Sequence, residues 1–174
     1  YDYPSNVKEK LNFIISDMAN HHWLFANRPG HDFIRQNHGK LSFYDTMRLI
    51  IGMGKGNTND EIMDYFDLDP DRIPSQSAFN QRRSQISLSA FEYLFSEFSS
   101  AFPSTTNTFK GHCILACDGC HVVYTTNSEI IEDFNKPHLI DYKGYNHMHL
   151  NSFVDVISKA FIDVVIQPGQ KPDE

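Results

Sequence analysis

The chain has 174 residues, 40% of them hydrophobic and 13% aromatic, enough apolar matter to fill one ordinary core or two small ones. Its formal charge of -7 excludes a protein that coats nucleic acid by charge alone, because neutralising phosphates takes a basic surface. The longest apolar runs, Leu49-Ile50-Ile51 and Val164 to Ile166, fall far short of the roughly 20 residues of a membrane span, and no basic-then-apolar leader opens the chain. A cytoplasmic protein with no membrane partner is the expectation. Cys113, Cys117 and Cys120 are odd in number and crowded together, which suits a reducing compartment better than a disulfide framework. The chain opens at Tyr1 without a Met and stops at Lys171-Pro172-Asp173-Glu174 directly after a strand-like run, so it reads as a piece of a longer protein.

In chain order, Val7, Leu11, Ile14, Ile15 and Met18 recur at helical spacing behind Pro4 and Ser5, predicting a helix over about 5–25 that Arg28-Pro29-Gly30 breaks. Ser42 can cap a second helix carrying Phe43, Met47, Ile50 and Ile51, which runs out in the glycines at 52, 54 and 56. Thr58, with Glu61 three residues on, has the form of a capping box for a third helix whose inner face is Ile62, Tyr65 and Phe66. Ser75 can cap a helix from Gln76 to about Gln85. Ser87 or Ser89 opens another, with Leu88, Phe91, Leu94, Phe95 and Phe98 on one stripe.

The character changes after Phe102-Pro103, where Ser104 to Thr108 has linker composition. Two short β-type runs follow, His112 to Asp118 and Val122 to Thr126, separated by Gly119. The polar segment from Asn127 to Asn146 is expected to be a long loop. Leu150 to Ile157 and Ala160 to Ile166 then read as strands joined tightly at Ser158-Lys159 and stopped by Gln167-Pro168-Gly169. The fold class predicted is α+β: an all-helical region over 1–103, then three antiparallel strands in meander order over 104–174.

Charge is unevenly distributed. Asp60 to Asp71 holds six acids and no Lys or Arg, whereas Arg72 to Phe91 holds three arginines and no acid, so any DNA contact belongs in the second stretch. The helices near 43–53, 59–67 and 76–85 have the spacing of a helical DNA-reading unit whose last helix faces the major groove. Its polar face would include Gln76, Ser77, Asn80, Gln81, Arg82 and Arg83, side chains that can hydrogen-bond base edges or phosphates. An ordinary bundle with a solvated polar face fits the same pattern, and the linker of about eight residues before that helix is longer than the turn of a compact helix-turn-helix.

Asp118 ends an otherwise apolar run, where a carboxylate is costly unless it is hydrogen-bonded or holds a cation. A turn with Gly119 is the plain alternative. Cys113, Cys117 and Cys120 with His112 and His121 invite a zinc reading, but alternation along a strand sends Cys113 and Cys117 to one face and His112 to the other. His147 and His149 share a strand face and could hold a metal, although surface or packing roles are the ordinary ones. No nucleophile motif, phosphate-binding glycine loop or dinucleotide fingerprint is present.

The order of segments resembles a known family. Asp32-Phe33-Ile34-Arg35, Lys40-Leu41-Ser42-Phe43, Ile50-Ile51-Gly52-Met53-Gly54 and Ser75-Gln76-Ser77-Ala78-Phe79-Asn80-Gln81-Arg82-Arg83 are similar to the N-terminal region of IS4-like DD(E/D) transposases of bacterial insertion sequences. Ala116-Cys117-Asp118-Gly119 resembles the strand carrying the first aspartate of their triad, and His149 to Phe153 through Ile166 to Gly169 is similar to the next two strands of the same RNase H-like core. The resemblance implies that Asp118 is a metal ligand, with Mg2+ the ion, and that the helical region binds the element's double-stranded terminal inverted repeats, with a homodimeric synaptic complex as the possible assembly. It implies metal-dependent cleavage and strand transfer by the complete enzyme. The second aspartate and the glutamate would lie beyond residue 174, so this piece alone is expected to be inactive. Asp155 and Asp163 match no catalytic position. A non-catalytic, DNA-binding remnant of such a transposase is the alternative.

Overall fold

The computed structural model describes residues 3–33, 40–101, 108–124, 134–135 and 144–169. They fall into two compact units, Tyr1–Ala101 and Phe102–Glu174, the first helical and the second an antiparallel sheet, which makes the chain α+β. Among the described residues no helix is long and apolar enough to cross a membrane.

In the first unit α1 spans Tyr3–Asn20 and passes into a single 3-10 turn, His22–Leu24, so it stops short of the expected residue 25. The His21 amide bonds to the Met18 carbonyl three residues back, tightening the last turn before Gly30 is reached. Ile14, Ile15 and Met18 of α1 are buried with Phe25, Phe33, Phe43, Met47, Ile86, Ala90 and Leu94 in the first of two apolar clusters. Phe33 sits there fully buried with a φ of 59°. A backbone of that kind costs a bulky residue about 1–3 kcal/mol, which the buried ring, edge-on to Phe43 at 5.3 Å, offsets. Ile34 and Arg35 of the same motif lie outside the described residues.

Helix α2 (Phe43–Gly52) begins in a capping box: the Asp45 amide donates to Ser42 Oγ at 3.0 Å and the Ser42 amide donates to the Asp45 carboxylate. Tyr65, at the end of α3 (Thr58–Tyr65), donates its hydroxyl to the same carboxylate at 3.2 Å. Burial, together with that negative charge, pushes the Tyr65 phenol well above its ordinary range. The expected capping box at Thr58 is absent. Asn57 is the cap, its side-chain oxygen accepting from the Asn59 and Asp60 amides, which leaves Glu61 one position too deep and able to accept from the Gly56 amide at 2.9 Å. The amides of Gly54 and Gly56 hold the Glu61 carboxyl below its usual value.

Helix α4 (Gln76–Arg83) is capped by Ser75 Oγ, which accepts from the Ala78 amide, and α5 runs Leu88–Ser100. Leu41, Leu49, Ile62, Phe66 and Phe79 form the second buried cluster, which unites α2, α3 and α4. The α4–α5 junction is stitched to the segment after α1. The Asn27 amide donates to the Gln85 carbonyl, the Ser87 amide to the Phe25 carbonyl, and Asn27 Nδ2 to the carbonyls of Ser84 and Ile86.

In the second unit β3 (Tyr145–Asp155) is central. It pairs antiparallel with β1 (Leu115–Tyr124) on one side and with β4 (Phe161–Pro168) and the two-residue β2 (Phe134–Asn135) on the other. The three long strands follow one another antiparallel as expected, but their limits differ. The two runs around Gly119 are one strand, because Gly119 pairs in register with Asn151. The Asn151 side chain folds over it so closely that a Cβ there would stand 2.7 Å from Oδ1. Glycine here marks a close approach within the strand and not a turn. The loop expected over 127–146 contains β2 and the first residues of β3, and 125–133 and 136–143 lie outside the described residues.

Strand β3 ends at Asp155 and not at Ile157. The buried Asp155 carboxylate accepts from the Ile157 amide at 3.0 Å and the Ser158 hydroxyl at 2.8 Å, closing the turn into β4. The Ser158 hydroxyl, then the Ile157 amide, hold its carboxyl below the ordinary value of 3.8. A carboxyl so depressed stabilises the folded turn above its unfolded pKa, and this contribution is lost as the pH falls through the lower folded value. Amide exchange at Ile157 and Lys159, corrected for intrinsic rates, should therefore show protection fading below about pH 4. Asp155→Asn should remove that pH dependence, and an unchanged profile in the variant would place its origin elsewhere.

Candidate functional site

The sequence-predicted binding residues come together on α4. Gln76, Ser77, Asn80, Gln81 and Arg83 are exposed, while Phe79 on the opposite side is fully buried in the second cluster. The helix holds no acid, and Arg82 and Arg83 occupy its last turn, where positive charge meets the partial negative end of the helix. Arg82 differs from the other five. It is half-buried, its guanidinium lies 5.2 Å from the centre of the Phe33 ring, and it donates to Gln85 Oε1 at 3.1 Å. These contacts make Arg82 a tie between α4 and the segment before α2, so its truncation would disturb packing as well as any contact made outside the chain.

Beside α4 lies an open groove of about 950 Å³, lined by His31, Lys40, Leu41, Ile73, Pro74, Ser75, Ala78, Gln81, Arg82 and Gln85. Lys40 is not among the binding residues that the sequence singles out, although it stands in the Lys40-Leu41-Ser42-Phe43 segment. Its ammonium donates to the carbonyls of Pro70 and Ile73, closing the connection between α3 and α4. That connection covers residues 66–75, longer than expected, and includes Asp67 and Leu68 at positive φ.

Asp118 is not at a strand end. It is the fourth residue of β1, opposite Ser152 of β3, and is exposed. Its Oδ1 accepts from the Gly119 amide at 2.9 Å, and its backbone carbonyl accepts from Ser152 Oγ at 3.4 Å. The turn with Gly119 is thus replaced by a local side-chain contact within a continuous strand. An exposed carboxylate can offer oxygen to a hard cation, but among the described residues no group of three His, Cys, Asp or Glu side chains able to share an ion includes Asp118. Asp163, on β4, belongs to no such group either and accepts from its neighbour's amide, Val164. Cys113, Cys117 and Cys120 are exposed. Cys117 and Cys120 stand on opposite faces of β1, which disfavours the four-ligand zinc reading.

Compared with protein-family models, with curated proteins and with solved structures, the chain finds no match in any of the three.

Proposed function

We propose that this chain is the DNA-binding and first catalytic portion of an IS4-like DDE transposase, with α4 as the DNA-contacting helix and Asp118 as the first acid of the triad. The observation that carries the reading is α4 itself: an exposed face of Gln76, Ser77, Asn80, Gln81 and Arg83, free of acid, on a helix anchored by Phe79 in an otherwise acidic protein. Amide and guanidinium groups so placed suit base edges and phosphates. The ligand is double-stranded DNA, the element's terminal inverted repeats.

The sheet supports the catalytic half of the proposal less directly. Exposed apolar side chains stand on both its faces, Leu115, Val123 and Val165 on one and Ile166 on the other. A layered RNase H-like core covers such faces with helices. For the Mg2+ that this chemistry requires, the described residues supply one ligand, Asp118, and two-metal catalysis needs several carboxylates around cations roughly 3.5–4 Å apart. Among the described residues the share of the site is that single carboxylate, and the 174-residue chain is expected to bind DNA without cutting it.

Arg83 gives the cleaner test, because Arg82 also packs on Phe33. Taking away one side chain that neutralises a phosphate lowers the slope of log K against log salt by about 0.9. Arg83→Ala should flatten the slope by that amount in anisotropy titrations with inverted-repeat duplex, leaving the helical circular dichroism unchanged. Equal slopes for variant and parent would remove α4's last turn from the interface. Metal-dependent nicking by the nuclease-free chain would overturn the assignment of a single-carboxylate share.

A further inference from the structure

We infer that His121, His147 and His149 form a binding site for one divalent ion of the late first-row transition series, zinc foremost, which would clamp β1 to β3. His121 and His149 are directly opposite in the β1–β3 register, and His147 lies two residues along β3, on the same face by strand alternation. The three rings are in contact, with centroids 3.8 Å apart for His121 and His149 and 5.1 Å for His121 and His147. One ring nitrogen from each lies within 4.8 Å of the other two.

Three imidazole nitrogens around a zinc ion, each about 2.0–2.1 Å from it, stand roughly 3.3 Å from one another in tetrahedral geometry. The gap to be closed is small, and the exposed His121 ring can turn to close it. A second observation points independently to a ligand. His147 is only 7% exposed, and its Nδ1 is buried with no hydrogen-bond partner among the described residues. An imidazole nitrogen always presents either a proton or a lone pair, so a cluster held by packing alone leaves this atom unsatisfied, whereas a cation coordinated through this nitrogen would satisfy it.

The end of β4 explains why His147 is covered. Gly169 lies against it so tightly that any Cβ at this position would overlap the His147 carbonyl. The donor set then selects the ion. Three neutral nitrogens without a carboxylate suit Zn2+, Ni2+ or Cu2+ and not a hard cation such as Mg2+. Three protein ligands also leave a fourth tetrahedral position for water. Residues 118 and 121 differ by an odd number on a regularly paired strand, so this cluster and Asp118 occupy opposite faces of the sheet. The site is independent of the proposed cleavage chemistry.

The test uses the untagged 174-residue chain, stripped with chelator and titrated with Zn2+ alone in a calorimeter, and with Co2+ to read ligand geometry from its visible bands. One equivalent should bind, and the Co2+ spectrum should show nitrogen ligation without thiolate charge-transfer absorption. His121→Ala removes an exposed ligand from an intact sheet and should weaken Zn2+ by roughly a hundredfold or more, at or beyond the ~10–100-fold that loss of an outer-shell partner costs. Replacing Cys113, Cys117 and Cys120 together by Ser should leave the affinity unchanged. No Zn2+ binding by the parent, retention of full affinity in His121→Ala, or loss of binding in the cysteine variant would each overturn the proposal.

Discussion

On the proposed transposase reading, Asp118→Asn in the complete enzyme is expected to lower strand cleavage and transfer by about a hundredfold or more while DNA affinity stays at the parental level. Asparagine keeps the size of the side chain and an oxygen that can accept from the Gly119 amide, now at 2.9 Å from Asp118 Oδ1, so β1 should be undisturbed. What it removes is the negative charge with which the side chain would hold a hard divalent cation. Metal stabilisation of the transition state is worth several kcal/mol, and each step of about 1.36 kcal/mol is tenfold in rate. Cleavage of labelled element-end DNA, measured beside binding of the same duplex, separates the two effects. Parental cleavage by the variant would return Asp118 to the role of an exposed strand residue that bonds only to its neighbour.

The largest loss of stability is expected from Phe79→Ala. Phe79 is fully buried among Leu41, Leu49, Ile62 and Phe66 and is the single buried residue of α4, so its ring anchors the helix to α2 and α3. Removing a buried Phe ring costs about 3–5 kcal/mol, a large part of the roughly 5–15 kcal/mol that holds an ordinary domain together. Urea unfolding followed by far-ultraviolet circular dichroism should show this shift, and the proposed DNA binding should fall with the folded fraction and not as a change in salt slope. Leu88→Ala is the control: Leu88 is 82% exposed at the start of α5 and should change stability by no more than about 0.5 kcal/mol. A cost below about 1 kcal/mol for Phe79→Ala would mean that α4 is held by its other contacts, chiefly Ser75 and Arg82.

The five helices, the change to β structure after residue 103 and the polar character of the α4 face are all legible in the chain alone. Each of these is a local matter of apolar period, capping residue and breaker, and Ser42 and Ser75 cap where their side chains predict. Local reasoning failed where two local solutions compete. At the start of α3, Asn57 reaches two amides and takes the cap from Thr58, and at Gly119 a residue that ordinarily ends a strand is held inside one by pairing with Asn151. Strand alternation puts His147 and His149 on one face, but it cannot name their partner. Which residue of β1 stands across from His149 depends on register, and register is set by the pairing of β1 with β3 across an intervening segment of the chain. Folding in three dimensions brought His121 beside them, buried His147 under the end of β4, and turned Asp118 to the other face, because contacts between residues distant in sequence leave no periodic trace in either strand.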